Sequence, residues 1–462
     1  MVSLFPARWR GSGLVARSPK GRPMLPTASL PAGKVPARGR LLQAYQERKS
    51  WLLLPVVGVF LLGLISLSGS WECHKSNRGD CKVQFLPAVS DAPKWFNASC
   101  PLVYERIQYE EMLRGEARPY LMGERQRPAC VNCDRDELWS HFCQYKSHGP
   151  KCPPHDQDLL FNTLMDRAKV GAEGAKDLLE LTPCDLFPYI RGRTLWLVGD
   201  SMMQEFMRAL QCFMYEFWDL ETKPLDRLIA DKGATEGLIG GWCVLLPENS
   251  RICHIRSNMG DWLVTNLLPR FDRLGVLSTD IMILNFAVWI NVGEELAQNV
   301  MIWAEFYEKN KERLPYTIWR DASIQHFDTP TGDYKCDGCP DAKPRADDRG
   351  FTCKPMDSVT LTPANELETT DPAMQIIVEG GWRNKITLPV IERLGIPIVH
   401  TWNLSVPLWQ YHHSFQEKDD CTHWCHPSGY QVWIAQMYRT LRAHRSDIPL
   451  PPALRLPRAA GS

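Results

Sequence analysis

The sequence lacks a net charge: 53 Lys and Arg balance 53 Asp and Glu among its 462 residues. With neither sign in excess, nothing draws the whole chain to nucleic acid, and no nucleic-acid partner is expected. Cysteine is missing from the first 72 residues, and all sixteen lie between Cys73 and Cys425. Acid is nearly missing from the first fifty residues, which hold ten Lys or Arg against Glu47 alone. No apolar period of helix or strand type runs through them either. Residues 1–50 therefore read as a disordered basic tail.

Charge of either sign then disappears from Trp51 to Ser68, WLLLPVVGVFLLGLISLS. These eighteen residues are just enough to cross a hydrocarbon core of about 30 Å as a helix. A buried core helix would carry a polar face, and a secretory signal peptide would not follow so long a charged leader. The expectation is a single-pass signal anchor over 51–70, with the basic tail cytosolic and the rest lumenal. A cleaved presequence, secretory or plastid, is the alternative. An even set of cysteines confined to one side suits disulfides in an oxidising lumen. Two sequons, at Asn97 and Asn403, are on that side and would be glycosylated if exposed.

Residues 71–181 are rich in Cys, Pro and charge and read as a stem with a Cys-rich subdomain that needs disulfides because its core is thin. Cys130 and Cys133, with Cys143 and Cys152, allow a zinc site, but the compartment favours bridges. From 182 to 448 the pattern changes to apolar runs alternating with helical ones. TLWLVG precedes MMQEFMRALQCFMYEF; DIMILNFAVWI precedes EELAQNVMIWAEFYEKN; YTIW follows; IPIVH comes before GYQVWIAQMYRTLRAH. Strands apolar on both faces, separated by helices, predict an α/β sandwich of the flavodoxin-like kind with a mostly parallel central sheet. In such sheets, sites form at the carboxyl ends of strands. The polar stretch from 329 to 363, with Cys336, Cys339 and Cys353, reads as a disulfide-tied insertion, and 449–462 as a disordered tail.

Gly199-Asp200-Ser201 stands where the TLWLVG strand turns into a helix. Ser201 could be a helix cap, as could Asp200. It could instead be a nucleophile whose oxyanion is held by free N–H groups of the helix start. The stretch is not a G-x-S-x-G elbow, since Met203 replaces the second glycine. A nucleophilic serine needs a base with an orienting acid. Asp420 and His423 are three apart in DDCTHWCHPSGYQVW, close enough for one turn to pair them. A zinc cluster of Cys421, His423, Cys425 and His426, with His412 and His413 nearby, is the competing reading. Oxidised thiols would exclude it.

Together these blocks carry a resemblance. Gly199-Asp200-Ser201, followed late by Asp420-Cys421-Thr422-His423-Trp424-Cys425, resembles the SGNH/GDSL esterase superfamily. More narrowly it is similar to the trichome-birefringence-like (PC-esterase) polysaccharide O-acetyltransferases of plants and algae. Cys184-Asp185-Leu186-Phe187, Ile283-Leu284-Asn285 with Trp289, and Trp319-Arg320-Asp321 through His326-Phe327 are similar too. The resemblance covers about residues 180–440 and implies an SGNH-type sandwich on a Golgi signal anchor, as a single-pass type II membrane protein. It implies Ser201 as nucleophile, His423 as general base and acid, and Asp420 as its partner. Gly199, Asp200 and Asn285 are implied at the oxyanion or substrate site, and Arg320 and His326 match further family positions. No metal and no bound cofactor is implied. An acetyl donor is required, with acetyl-CoA one candidate, and a polysaccharide is the acceptor.

The chain departs from that pattern at Gln204-Glu205, Ala287-Val288, His426, Ser428 and Gln431, where the family carries Arg-Asn, Gly-His, Leu, Gly and Asp. These differences bear on the acceptor pocket more than on the triad. The same machinery with water in place of a sugar would be an esterase, and a non-catalytic glycan-binding role is the remaining alternative. Trp289, Trp382, Trp402, Trp409 and Trp424 are candidate sugar-stacking surfaces.

Overall fold

Every residue of Thr194–Gly199 is buried, and this strand (β1) lies inside a six-stranded sheet. The computed structural model describes residues 73–75, 81–83, 100, 107–122, 150–151, 156–217, 241–329, 331–334, 352–415 and 418–451. All of these belong to one compact unit, Ser66–Ser462. The other strands of the sheet are Trp242–Leu246 (β2), Ser250–Arg256 (β3), Ile281–Leu284 (β4), Tyr316–Arg320 (β5) and Ile398–Val399 (β6). Their spatial order is β6-β5-β4-β1-β3-β2. Each neighbouring pair is parallel except β2 with β3. The chain leaves β1 toward one edge for β2 and β3, then crosses to the other side for β4, β5 and β6. That reversal opens a crevice beyond the carboxyl end of β1.

Alternate residues of the strands feed two separate cores. Leu195, Leu197, Ile281 and Ile283 pack on one face, and Trp196, Val198, Met282 and Leu284 on the other. A sheet covered on both faces explains why its strands are continuous apolar runs. On the first face Ser201–Phe213 (α4) buries Met203, Phe206, Met207 and Leu210, a helical i, i+3, i+4, i+7 stripe. Gly429–Ala443 (α7) adds Tyr430, Trp433, Ile434, Met437 and Leu441 to it. On the second face lie Gly293–Asn310 (α5), through Leu296, Val300 and Trp303, and Gly381–Arg393 (α6), through Ile391.

Three earlier helices, Asp156–Lys169 (α1), Ala175–Glu180 (α2) and Pro183–Ile190 (α3), also join the first core. Leu160, Leu164, Leu178 and Leu179 share it with Leu195 and Leu197. In the described residues, no break in packing separates 156–181 from the sheet that follows. Thr182 and Asp185 form a capping box at the start of α3, with Pro183 in the first helical position.

The antiparallel hairpin of β2 and β3 was not read from the sequence. Its turn places Glu248 and Asn249 at φ 60° and 57°, the left-handed pair of a type I′ turn. Cys243 and Cys253 face each other across it and are disulfide-bonded. Cys100–Cys184 and Cys353–Cys421 are bonded as well, and Cys212 and Cys425 each take part in a disulfide. The expected insertion at 329–363 is described only in part, and Cys353 ties it to Cys421.

The expected membrane anchor at 51–70 lies outside the described residues, as do the 1–50 tail, the Cys130–Cys133 pair and 452–462. Among the described residues no helix is long and apolar enough to cross a membrane. Asn403 is half-buried and donates from Nδ2 to the Asn365 carbonyl, while Ser405 of the same sequon is buried. That packing leaves little room for a glycan there.

Candidate active site

β1 ends at Gly199 and α4 starts at Ser201, so the turn between them is one residue long. A Cβ on Gly199 would stand 2.3 Å from the Asn285 carbonyl oxygen and 2.5 Å from Met203 Cγ. Only glycine lets β1 pass so close to the end of β4 and the first turn of α4. Asp200 is the cap: its Oδ1 accepts the Met202 N–H at 2.9 Å. Ser201, freed from capping, is partly exposed at the start of α4.

The candidate base arrives from the far end of the chain. His412–Phe415 (β7) and Lys418–Trp424 (β8) form an antiparallel pair whose register slips between His412 and Ser414. Inside β8 the Asp420 carboxylate folds over its own backbone, Oδ1 accepting from the N–H of Thr422 at 3.0 Å and of His423 at 3.2 Å. Its Oδ2 accepts from His423 Nδ1 at 2.8 Å. His423 Nε2 then lies 2.7 Å from Ser201 Oγ, across 222 residues of sequence. The Nδ1 hydrogen pointing at Asp420 leaves Nε2 able to accept the serine proton. Burial pulls the His423 imidazole down, but the Asp420 hydrogen bond and charge outweigh it, with Glu205 and Asp200 adding, so the net shift is upward.

β8 is fastened to the segment after β5 at three points. Cys421 is disulfide-bonded to Cys353, its carbonyl accepts the His326 N–H at 2.9 Å, and Thr422 Oγ1 accepts from Gln325 Nε2 at 2.7 Å. Because Cys421 and Cys425 are both disulfide-bonded, they lack the thiolates a zinc cluster would use.

The other expected site residues have different surroundings. Asn285 donates from Nδ2 to the Arg320 carbonyl at 2.8 Å and accepts the Ala287 N–H at 3.2 Å. Its side chain thus holds the ends of β4 and β5 together. Arg320 is buried, with its guanidinium 4.4 Å from the Trp433 ring centroid and Nη1 donating to the Asp321 carbonyl. Burial pushes Asp200 up, and the charge of Arg320 is the largest influence pulling it back. The charge of Arg320 therefore favours the ionised form of Asp200. His326 is fully buried and meets His412 and the Val406 carbonyl, not Ser201. Of the five tryptophans, Trp289 is exposed, with Arg256 lying 6.0 Å from its ring centroid, while Trp402 and Trp424 are core.

Glu205 was visible in the sequence only as a departure from a family pattern. It follows Ser201 by one turn of α4, so the two share a helix face. Its carboxylate accepts from Arg208 at 2.7 Å and contacts His426 Nε2 at 3.3 Å. The clue was the i, i+4 spacing from the serine. Comparison with protein-family models and with curated proteins finds no match to this chain.

Proposed function

We propose that the chain is an O-acetyltransferase that moves an acetyl group onto a hydroxyl of a cell-wall or matrix polysaccharide through a Ser201 acyl-enzyme. The observation that carries this reading is the run Asp420 Oδ2, His423 Nδ1, His423 Nε2, Ser201 Oγ, with contacts of 2.8 and 2.7 Å. Ser201 Oγ attacks the acetyl carbonyl while His423 Nε2 takes its proton. The Met202 and Gln204 N–H groups are taken by Asp200, so the Ser201 N–H and the positive end of the α4 dipole would stabilise the oxygen that becomes negative. The carbonyl reforms as the donor's leaving group departs with the proton from His423. A sugar hydroxyl then gives its proton to His423 and attacks the acetyl-Ser201 carbonyl. Ser201 leaves and regains a proton from His423.

The resemblance of the Gly199-Asp200-Ser201 and Asp420-to-Cys425 blocks to the trichome-birefringence-like family supports transfer over hydrolysis. It is also the ground for proposing an SGNH-type sandwich on a Golgi signal anchor. Exposed Trp289 offers a stacking face for a sugar ring near the carboxyl end of β4.

The test is product analysis. The lumenal part, incubated with acetyl-CoA or another acetyl donor and a panel of polysaccharides, should yield ester-linked acetyl on glycan hydroxyls. Free acetate alone, with and without glycan, would make the enzyme an esterase. No turnover of any acetyl ester or donor would leave a glycan-binding protein.

A further inference from the structure

His326 and His412 are both buried and face each other, His326 Nδ1 to His412 Nε2, at 2.7 Å. Their outer nitrogens each meet a carbonyl. His326 Nε2 lies 2.9 Å from the Val406 oxygen, and His412 Nδ1 lies 2.8 Å from the oxygen of His423. A carbonyl oxygen only accepts, so each outer nitrogen must carry a hydrogen. Two neutral imidazoles own two N–H hydrogens between them, and the carbonyls use both. The inner nitrogens would then be bare lone pairs pressed together at 2.7 Å. Turning either ring over does not relieve this, because it puts carbon where both nitrogens stood and loses every contact of that ring. Among the described contacts, the set closes only with a third hydrogen between the rings.

We propose that His326 and His412 form an imidazole–imidazolium pair holding one extra proton, and that this pair positions the catalytic base by donating from His412 Nδ1 to the backbone carbonyl of His423. Burial pushes the His326 imidazole down to about 4, which disfavours the charge on that ring. The Trp424 ring stacks on His412, with centroids 5.0 Å apart and 19° between planes, and offers its face to that cation. From the pair the contacts run through His423 to Asp420, whose negative charge lies at the end of the same run.

The arrangement joins three segments that are distant in sequence. His326 follows β5, Val406 precedes β7, and His423 sits in β8. With the proton in place all three contacts form together and the carbonyl of His423 is held. Without it, one of the three must break. His326 and His412 are thus positioning residues, acting on Ser201 only through His423. This role rests on the proposed use of His423 as the base, whereas the proton count does not.

Neutron diffraction from deuterated crystals of the resting wild-type protein, grown near neutral pH, counts the hydrogens directly. Three deuterons on the four ring nitrogens, one of them between Nδ1 of His326 and Nε2 of His412, are expected. Two deuterons in total would overturn the proposal whether or not the protein has any activity. Its kinetic arm uses His412→Asn, which can still donate to the His423 carbonyl, and His412→Leu, which cannot. His412→Leu should lower kcat by up to about a hundredfold with KM little changed, as a misplaced base does. His412→Asn should recover much of that loss. Equal activity in the two variants, or a loss confined to KM, would overturn the positioning role. Should His412→Leu fail to fold, the ratio of His412→Asn to wild type and the neutron count decide between the same outcomes. A wild-type protein inert toward every acetyl ester, but with three deuterons on the pair, would contradict the proposed function and leave the pair standing.

Discussion

Asp200 and Ser201, neighbours in sequence, divide two tasks that either could perform: Asp200 Oδ1 accepts the Met202 N–H at 2.9 Å, while Ser201 Oγ meets His423 Nε2 at 2.7 Å. A cap that takes its own hydrogen bond leaves the next hydroxyl free for chemistry. Asp200→Ala removes the cap, which costs about 0.5–2 kcal/mol. It also strips Arg320 of a buried counter-charge. The denaturation midpoint should fall and acyl-transfer activity should fall with it. Asp200→Ser should recover the stability in part, since serine caps without supplying the charge.

Gly199→Ala tests how closely β1 must approach β4. The added Cβ would stand 2.3 Å from the Asn285 oxygen, and because that oxygen is backbone it cannot swing aside. Overpacking of this kind costs about 1–3 kcal/mol. The start of α4 would shift relative to β8, so the serine–histidine contact should lengthen. We expect a folded protein with a lowered midpoint and a kcat reduced more than KM is raised, measured with an activated acetyl ester.

The Cys353–Cys421 bridge closes 68 residues and is anchored between Asp420 and Thr422. Replacing both cysteines with alanine should lose about 2–4 kcal/mol. Because β8 carries both Asp420 and His423, activity should be lost at lower denaturant than helical circular dichroism. Coincident loss of the two signals in the double variant would place the bridge outside the site's local stability.

The pH dependence follows from His423. Burial alone would lower it, but the hydrogen bond and charge of Asp420 bring it above its ordinary 6.5. The base must be neutral to take the Ser201 proton, so kcat/KM should rise with pH through a midpoint above 6.5. Asp420→Asn should move that midpoint down and lower the plateau by about three to four orders of magnitude, since the amide favours the wrong tautomer. For stability the sign is opposite. A folded value above the unfolded one means the contribution is full below the unfolded value and is lost as pH rises through the folded one.

Much of the sheet was legible because its strands are short, apolar on both faces and flanked by helical stripes. TLWLVG, IMIL and YTIW stand where their patterns put them. Asp420 and His423 could be paired from spacing because their contact is local, made across three residues. The β2–β3 hairpin escaped because its turn residues, Glu248 and Asn249, are not the glycines that advertise a type I′ turn. His326 was placed at the site when its ring is turned toward His412, 86 residues away. Asn285 likewise bonds the Arg320 carbonyl, and the Arg320 guanidinium lies over Trp433, a distinction that depends on which way a buried side chain points. Periodicity carries no such information.

The central claim is that Ser201 is acylated with His423 as its base. Peptide mass spectrometry of the protein after brief exposure to an activated acetyl ester addresses it directly. The account predicts an acetyl group on Ser201 in the wild type, strongly slowed accumulation in His423→Ala, and none at that position in Ser201→Ala, with all three proteins folded. Acetyl found on another residue, at a rate unaffected by either substitution, would contradict it.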